Sequence, residues 1–187
     1  MEAICSSKMS NQCDFLPDGG YPIYRHPVDK EPTIYAWTPH VRKIRDKINK
    51  LYPDLKLNHC LIRKYENGDS FLSEHSDKII DIKDDTYIFN YSSGIDRILI
   101  LKNKKTRANS RILLRGDSLF VMDLKTNDEY FHSIKKQHAI IDPRISLTFR
   151  TIDSFKIDGK IVGKGSAFQE FISDEIIELY RQTNKRD

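Results

Sequence analysis

Three cysteines in 187 residues, Cys5, Cys13 and Cys60, are too few and too scattered for a disulfide framework. Their count is odd and none forms a Cys-x-x-Cys pair, which excludes a zinc knuckle. It points instead to a reducing compartment, cytoplasmic or nuclear. No apolar run approaches the roughly 18 residues of a membrane span, and the mean hydropathy is −0.57. Residues 1–30 carry acids, polar residues and prolines, so no signal-peptide core is expected, and no membrane partner. Internal repeats are missing too, and nothing marks a second domain. The length fits one domain with a real core, expected as a monomer.

Acids are missing from one stretch. From Arg97 to Arg115 there are seven basic residues (Arg97, Lys102, Lys104, Lys105, Arg107, Arg111, Arg115) and no Asp or Glu. The whole chain has 31 basic and 27 acidic side chains, so the remainder holds 31 − 7 = 24 basic against 27 acidic. The net +4 therefore rests on that segment. Such a cluster is either a solvated hairpin tip or a contact with phosphates. General disorder is excluded, because nine Phe, nine Tyr and many Ile and Leu accompany a charged fraction of 31%.

Prolines and glycines punctuate the chain as far as Pro39, with Phe15, Tyr21, Tyr24, Tyr35 and Trp37 interleaved. An arm of this composition is not expected to place a strand in a central sheet. Thr38-Pro39 reads as an N-cap followed by proline at the first helical position. Val41, Ile44, Ile48 and Leu51 follow at helical spacing and predict an amphipathic helix. Short strands are then predicted at 57–65, 87–91, 95–101, 111–114, 118–123, 129–132 and 145–151, with turn residues between them. The pattern predicts a mainly β domain with flanking helices, a sandwich or jelly roll. A capping box at Ser166–Gln169, with Phe168, Phe171, Ile172, Ile176 and Leu179, predicts a C-terminal helix.

Four features carry chemistry together. In His75-Ser76-Asp77, residues two apart on a strand point to one side and can approach one metal ion. A second histidine must come from elsewhere: His132 lies on a predicted strand, with His138 and His59 as rivals. Two His and one carboxylate with open positions suit Fe(II) that also binds an oxidant and a cosubstrate. Arg144 and Arg150, in Arg-Ile-Ser-Leu-Thr-Phe-Arg, share a strand face with Ser146 and Thr148. A buried arginine is costly without an anion, and a small dicarboxylate would satisfy such a pair, although structural salt bridges would too. Tyr65, ten residues before His75, lies on a strand that can run beside them.

From Trp37 to about Ile152 the chain resembles the AlkB-like family of Fe(II)/2-oxoglutarate dioxygenases. The resemblance covers about 115 of 187 residues. It is carried by Trp37-Thr38-Pro39, Leu61-Ile62-Arg63-Lys64-Tyr65 with Asn67-Gly68, and Glu74-His75-Ser76-Asp77. Ser92-Ser93-Gly94 followed by Arg97, His132-Ser133, and Pro143 through Arg150 complete it. The spacing from His132 to Arg144 also suits the family, which selects His132 over His138. The resemblance implies a double-stranded β-helix, a jelly-roll variant. It implies Fe(II) held by His75, Asp77 and His132, with positions left for 2-oxoglutarate and O2. Tyr65 and Arg144 would hold the distal carboxylate of 2-oxoglutarate, Arg150 would lie near its iron-side carboxylate, and Thr148 would line the pocket. The implied reaction is oxidative dealkylation of N-alkylated bases in DNA or RNA, with formaldehyde released from an N-methyl group.

On this resemblance the chain divides into an arm at 1–38 that could cover the substrate, a catalytic core at 39–155, and an extension at 156–187. Tyr24 in the arm could stack on a flat ring, and Lys104, Lys105 and Arg107 could grip a phosphate backbone. Two positions depart from the family. Arg63 stands where asparagine is usual, and it either adds a cation near the 2-oxoglutarate tail or turns outward. Ile79 stands where nucleic-acid repair members often place a base-reading acid. Both departures, with the C-terminal extension, favour the alternative of a hydroxylase acting on a small molecule or a protein side chain.

Overall fold

The computed structural model describes residues 8–25 and 33–166. The amino-terminal part holds β1 (Lys8–Cys13), β2 (Tyr21–Pro22) and β3 (Ile34–Ala36), followed by α1 (Pro39–Leu51). Next come β4 (His59–Tyr65), β5 (Leu72–His75), β6 (Tyr87–Gly94), β7 (Arg97–Asn103), β8 (Asn109–Leu114) and β9 (Ser118–Asp123). After α2 (Leu124–Glu129), the chain finishes with β10 (Tyr130–Ile134), β11 (Arg144–Arg150), β12 (Ser154–Ile157) and β13 (Lys160–Gly163). The C-terminal helix expected beyond Ser166 lies outside the described residues.

Two sheets enclose the interior. One has the order β3-β1-β4-β11-β6-β9 and the other β5-β10-β7-β8, while β13-β12-β2 forms a small third sheet. All pairings are antiparallel except β1 with β3. This is the jelly-roll, double-stranded β-helix architecture that the strand pattern and the family resemblance predict. No described helix is long and apolar enough to cross a membrane.

Strand β11 explains why the core and the site share one element. Its side chains alternate with period two, so Leu147 and Phe149 face one side and Arg144, Ser146, Thr148 and Arg150 the other. Leu147 and Phe149 join Trp37, Val41, Ile48 and Phe89 in the core beneath α1. Trp37 stacks on Phe149 with ring centroids 6.2 Å apart. Fully burying a side chain such as Phe149 contributes roughly 1.5–3 kcal/mol. The opposite face lines the cavity between the two large sheets.

Several elements differ from expectation. The arm does place a strand in the main sheet: β1 pairs with β4 over six residues, from Lys8 opposite Lys64 to Cys13 opposite His59. Those residues precede the first proline, Pro17, so every backbone N–H is available to the ladder. Thr38 takes the N-cap position, but its N–H and hydroxyl both donate to Gln12 Oε1 (2.9 and 3.2 Å), which ties α1 to β1. Leu51, expected on the apolar face, is 71% exposed because the helix ends there. Tyr52 continues the packing instead, against Phe89 at 4.9 Å. Strands β5, β12 and β13 and helix α2 are short elements that periodicity does not reveal.

A candidate metal and cosubstrate site

Strands β5 and β10 pair with His75 directly opposite His132, and the two imidazole rings lie 4.2 Å apart. Asp77 sits just past the end of β5 and is not in the strand. Its place is fixed by Asn127 of α2, a buried residue that the sequence does not single out. Asp77 N–H donates to Asn127 Oδ1 (2.8 Å), and Asn127 Nδ2 donates back to the Asp77 carbonyl (2.9 Å). Asp77 Oδ1 then lies 3.7 Å from His75 Nε2 and 3.8 Å from His132 Nε2. All three ligand atoms fall within 4.8 Å of one another. His75 Nδ1 faces the Ser73 carbonyl at 2.8 Å, which can only accept, so Nδ1 carries the proton and Nε2 is free for a metal.

Electrostatics favour a charged Asp77 carboxylate and a neutral His132 imidazole. Burial works to raise the Asp77 carboxyl, but Arg150 and the two histidines outweigh it and hold it well below the usual carboxylate range. Arg150 donates to Asp77 Oδ2 from Nε (3.2 Å) and from Nη2. Burial lowers the His132 imidazole to about 4. The Tyr24 ring covers the Arg150 guanidinium at 4.1 Å, and its hydroxyl accepts from Lys78 N–H at 3.2 Å. Tyr24 thus sits behind the carboxylate, stacked on arginine, and does not line the cavity.

The other end of the cavity is built for an anion. Arg144 is fully buried, and its Nη2 donates to Asn90 Oδ1 (3.1 Å) and Ser92 Oγ (2.9 Å). Its Nε and Nη1 have no partner, and neither does Arg150 Nη1. Tyr65 lies directly opposite Arg144 across β4 and β11, with its ring 5.1 Å from the guanidinium. Asn90 Nδ2 donates to Ser146 Oγ (2.7 Å) and Thr148 Oγ1 (2.9 Å), fixing both hydroxyls on the cavity wall. The cavity volume is about 70 Å³. Arg63 lines it as well, so this departure from the family adds a cation to the cavity wall; its Nη2 reaches Met9 Sδ at 3.2 Å, and its Nε is buried without a partner.

The remaining candidates lie elsewhere. His138 is exposed against Asp69 at 2.5 Å. His59 is buried opposite Arg150, with its ring 5.9 Å from Tyr24. Ile79 is 41% exposed. Lys104, Lys105 and Arg107 form the tip between β7 and β8, clear of the cavity. Arg97, counted with that cluster in the sequence, is wholly buried, and Lys102 pairs with Glu74 at 3.0 Å. Five of the seven basic residues therefore remain for the surface: Lys104, Lys105, Arg107, Arg111 and Arg115.

A model of the 2OG-Fe(II) oxygenase superfamily matches residues 2–150. The chain belongs to that superfamily. Within it the oxygenase is AlkB-like: it is 29% identical over 124 residues to the DNA oxidative demethylase ALKBH2 of Homo sapiens, covering 62% of this chain and 47% of that protein. The corresponding Bos taurus protein is 28% identical over 124 residues, covering 62% of this chain and 44% of that protein. The Arabidopsis thaliana protein is 27% identical over 146 residues, covering 65% and 46%. The oxygenase thus spans about half the length of the curated relatives it matches. A solved structure described as "The structure of OsALKBH1" aligns at TM-score 0.48 and 16% identity, covering 69% of this chain and 72% of that one.

The superfamily implies Fe(II) and 2-oxoglutarate, and the residues fit both. Three ligand atoms of the preferred types converge, and unpartnered N–H groups on two buried arginines call for an anion. The same burial predicts acid sensitivity. His132 is lowered to about 4, and His59 to about 3 by burial and then by Arg150. Between the ordinary histidine value and these lowered ones, the unfolded chain binds protons that the folded chain refuses. Stability is fully present above about pH 6.5 and is lost as pH falls, by up to about 1.4 kcal/mol per pH unit for each such histidine. Urea unfolding of the metal-free oxygenase between about pH 7 and 5 should show this slope. His59→Gln should roughly halve it, and an unchanged slope would exclude His59 as a source.

Proposed function

We propose that this oxygenase removes N-linked alkyl groups from nucleobases in DNA or RNA, using Fe(II), 2-oxoglutarate and O2. His75, Asp77 and His132 hold the iron. Arg144 and Tyr65 take the distal carboxylate of 2-oxoglutarate, with Thr148 on the pocket wall and Arg150 fixing Asp77 on the side away from the histidines. When bound, iron and cosubstrate supply the oxidation: 2-oxoglutarate and O2 become succinate and CO2, one oxygen atom enters an N-alkyl C–H bond, and the carbinolamine so formed releases an aldehyde. The chain's own contribution is placement and a cavity closed by apolar residues such as Leu72, Leu99 and Ile134.

One observation carries the nucleic-acid reading. His132 pairs with Leu101 across β10 and β7, and the basic tip begins three residues beyond Leu101, roughly 10 Å along the strand. Lys104 lies over the Phe131 ring at 5.1 Å, while Lys105 and Arg107 are exposed. The cations therefore stand at the metal end of the barrel, where a phosphate backbone would pass if a base entered. Ile79 favours the second reading, a hydroxylase of a small molecule or protein side chain. The nearby Asp81 is fully buried against Arg25 at 2.8 Å and cannot read a base in its place.

Succinate release with Fe(II) and 2-oxoglutarate, paired with formaldehyde detection on methylated oligonucleotides, separates the two. The nucleic-acid reading expects both products to rise together on a methylated strand. It also expects Lys104→Gln, Lys105→Gln and Arg107→Gln combined to weaken binding most at low salt. Succinate that no oligonucleotide stimulates would sink it and leave the hydroxylase standing.

A further inference from the structure

Helix α1 carries a second cationic surface, on the outer face of the sheet whose inner face lines the cavity. Its thirteen residues hold Arg42, Lys43, Arg45, Lys47 and Lys50 against one acid, Asp46. Arg45 neutralises that acid at 2.8 Å, reaches Asp14 at 2.9 Å, and lies over the Trp37 ring at 4.8 Å. Arg42, Lys43, Lys47 and Lys50 are exposed and have no carboxylate partner among the described residues. With Trp37, Pro39 and Asp46 they line a surface groove of about 510 Å³. Asp46 interrupts the run, so the cluster does not stand out in the sequence as an acid-free stretch.

The helix crosses the barrel at the metal end. Trp37, just before α1, stacks on Phe149, and Tyr52, just after it, packs on Phe89. Phe149 and Phe89 pair directly across β11 and β6, and the next residue along β11 is Arg150. The helix that carries the basic groove therefore packs on the face of the sheet opposite to the Arg150–Asp77 pair. Lys43, Lys47 and Lys50 stand one turn apart along the helix, over a rise of about 10.5 Å. A lipid surface is the poorer partner, because the apolar side of α1, Val41 and Ile48, is buried against the sheet.

We propose that the outer face of α1 binds the phosphodiester backbone of the same nucleic acid, away from the base under attack. This rests on the nucleic-acid reading above. A strand whose base enters the cavity would pass the β7–β8 tip and continue around the metal end to α1, so the chain would bind long strands more tightly than short ones.

The test uses the full chain with Arg42, Lys43, Lys47 and Lys50 all changed to Gln, beside the β7–β8 tip variant described above. All four positions are exposed, and equal thermal melting checks that folding is intact. Fluorescence anisotropy follows single-stranded oligonucleotides of about 5 and about 25 nucleotides over a range of salt, with vesicles of anionic phospholipid as a further probe. Each lost phosphate contact lowers the slope of log affinity against log salt by about 0.7. The α1 variant should lose about 2 to 3 in slope on the long strand and keep wild-type affinity on the short one. A wild-type slope in the α1 variant, with the tip variant weakened, overturns the inference and leaves the nucleic-acid reading in place. Failure of wild type to bind either strand removes both. Loss of vesicle binding alone assigns the groove to lipid and overturns the inference.

Discussion

Asp77→Asn should destabilise the metal-free oxygenase by about 3–5 kcal/mol, in addition to abolishing Fe(II) binding. Arg150 has 2% side-chain exposure and spends its Nε and Nη2 on Asp77 Oδ2, so the substitution strands a buried guanidinium without a counter-charge. The two partners reinforce each other. Burial alone would lower the Arg150 guanidinium, yet Asp77 raises it, just as Arg150 holds the Asp77 carboxyl down. Combining Asp77→Asn with Arg150→Met should recover most of the lost stability, because a charge no longer needs pairing. Iron binding should not return. Urea unfolding gives the stabilities, and calorimetric titration with Mn(II) or anaerobic Fe(II) gives the affinities. If Asp77→Asn unfolds at the wild-type urea midpoint, the ion pair is not what stabilises this end of the barrel.

Arg144→Met should move stability and cosubstrate binding in unlike ways. The guanidinium is wholly buried and burial lowers it from its ordinary value, while its Nε and Nη1 find no acceptor in the protein. Methionine removes that desolvated charge but loses the hydrogen bonds to Asn90 and Ser92. Each of those is worth about 1 kcal/mol, so the net change in metal-free stability should be small. Binding of 2-oxoglutarate should weaken by about 30-fold or more, the cost of about 2–5 kcal/mol for truncating one partner of a buried charge pair. Arg144→Lys should fall between, since it keeps the charge and loses the planar fork. Equal losses of stability and binding would mean that Arg144 supports the fold rather than the cosubstrate.

Periodicity and chemically distinctive residues make much of this protein legible in its sequence. The alternation in β11 by itself separates Leu147 and Phe149 from the four polar side chains, because period two admits one assignment of faces. The cluster of His75, Asp77 and His132 is legible because histidine and aspartate recur there at family spacing. Asn127 is not. An asparagine in a polar hexapeptide carries no pattern, and its bonds to the Asp77 backbone span fifty residues of sequence. Strand β1 escapes notice because Lys-Met-Ser-Asn-Gln-Cys has neither alternation nor β-branching, and the neighbouring β4 stabilises it through its backbone. Tyr24 is readable as an aromatic with a task, but the sequence cannot say that its ring face is taken by Arg150. Charge misleads in both directions: Arg97 counts toward the surface and is buried, while the cations of α1 go uncounted.

Arg97 has a consequence for how the barrel is held shut. Its guanidinium donates to Gln137 Oε1 and to the carbonyls of Asn67, Ser70 and Lys135, at 2.9–3.1 Å. Beside it the two loops interlock: Gly68 N–H donates to the Ile140 carbonyl and Gln137 N–H to the Gly68 carbonyl, so close that a Cβ on Gly68 would overlap Gln137. Segments far apart in the sequence are thus joined at one cationic node. Proteins in oxidising surroundings often make such a closure with a disulfide; here Cys13 and Cys60 are free. The Arg97 node performs the work of a cross-link with no redox potential, so this end of the barrel stays closed whether its surroundings are reducing or oxidising.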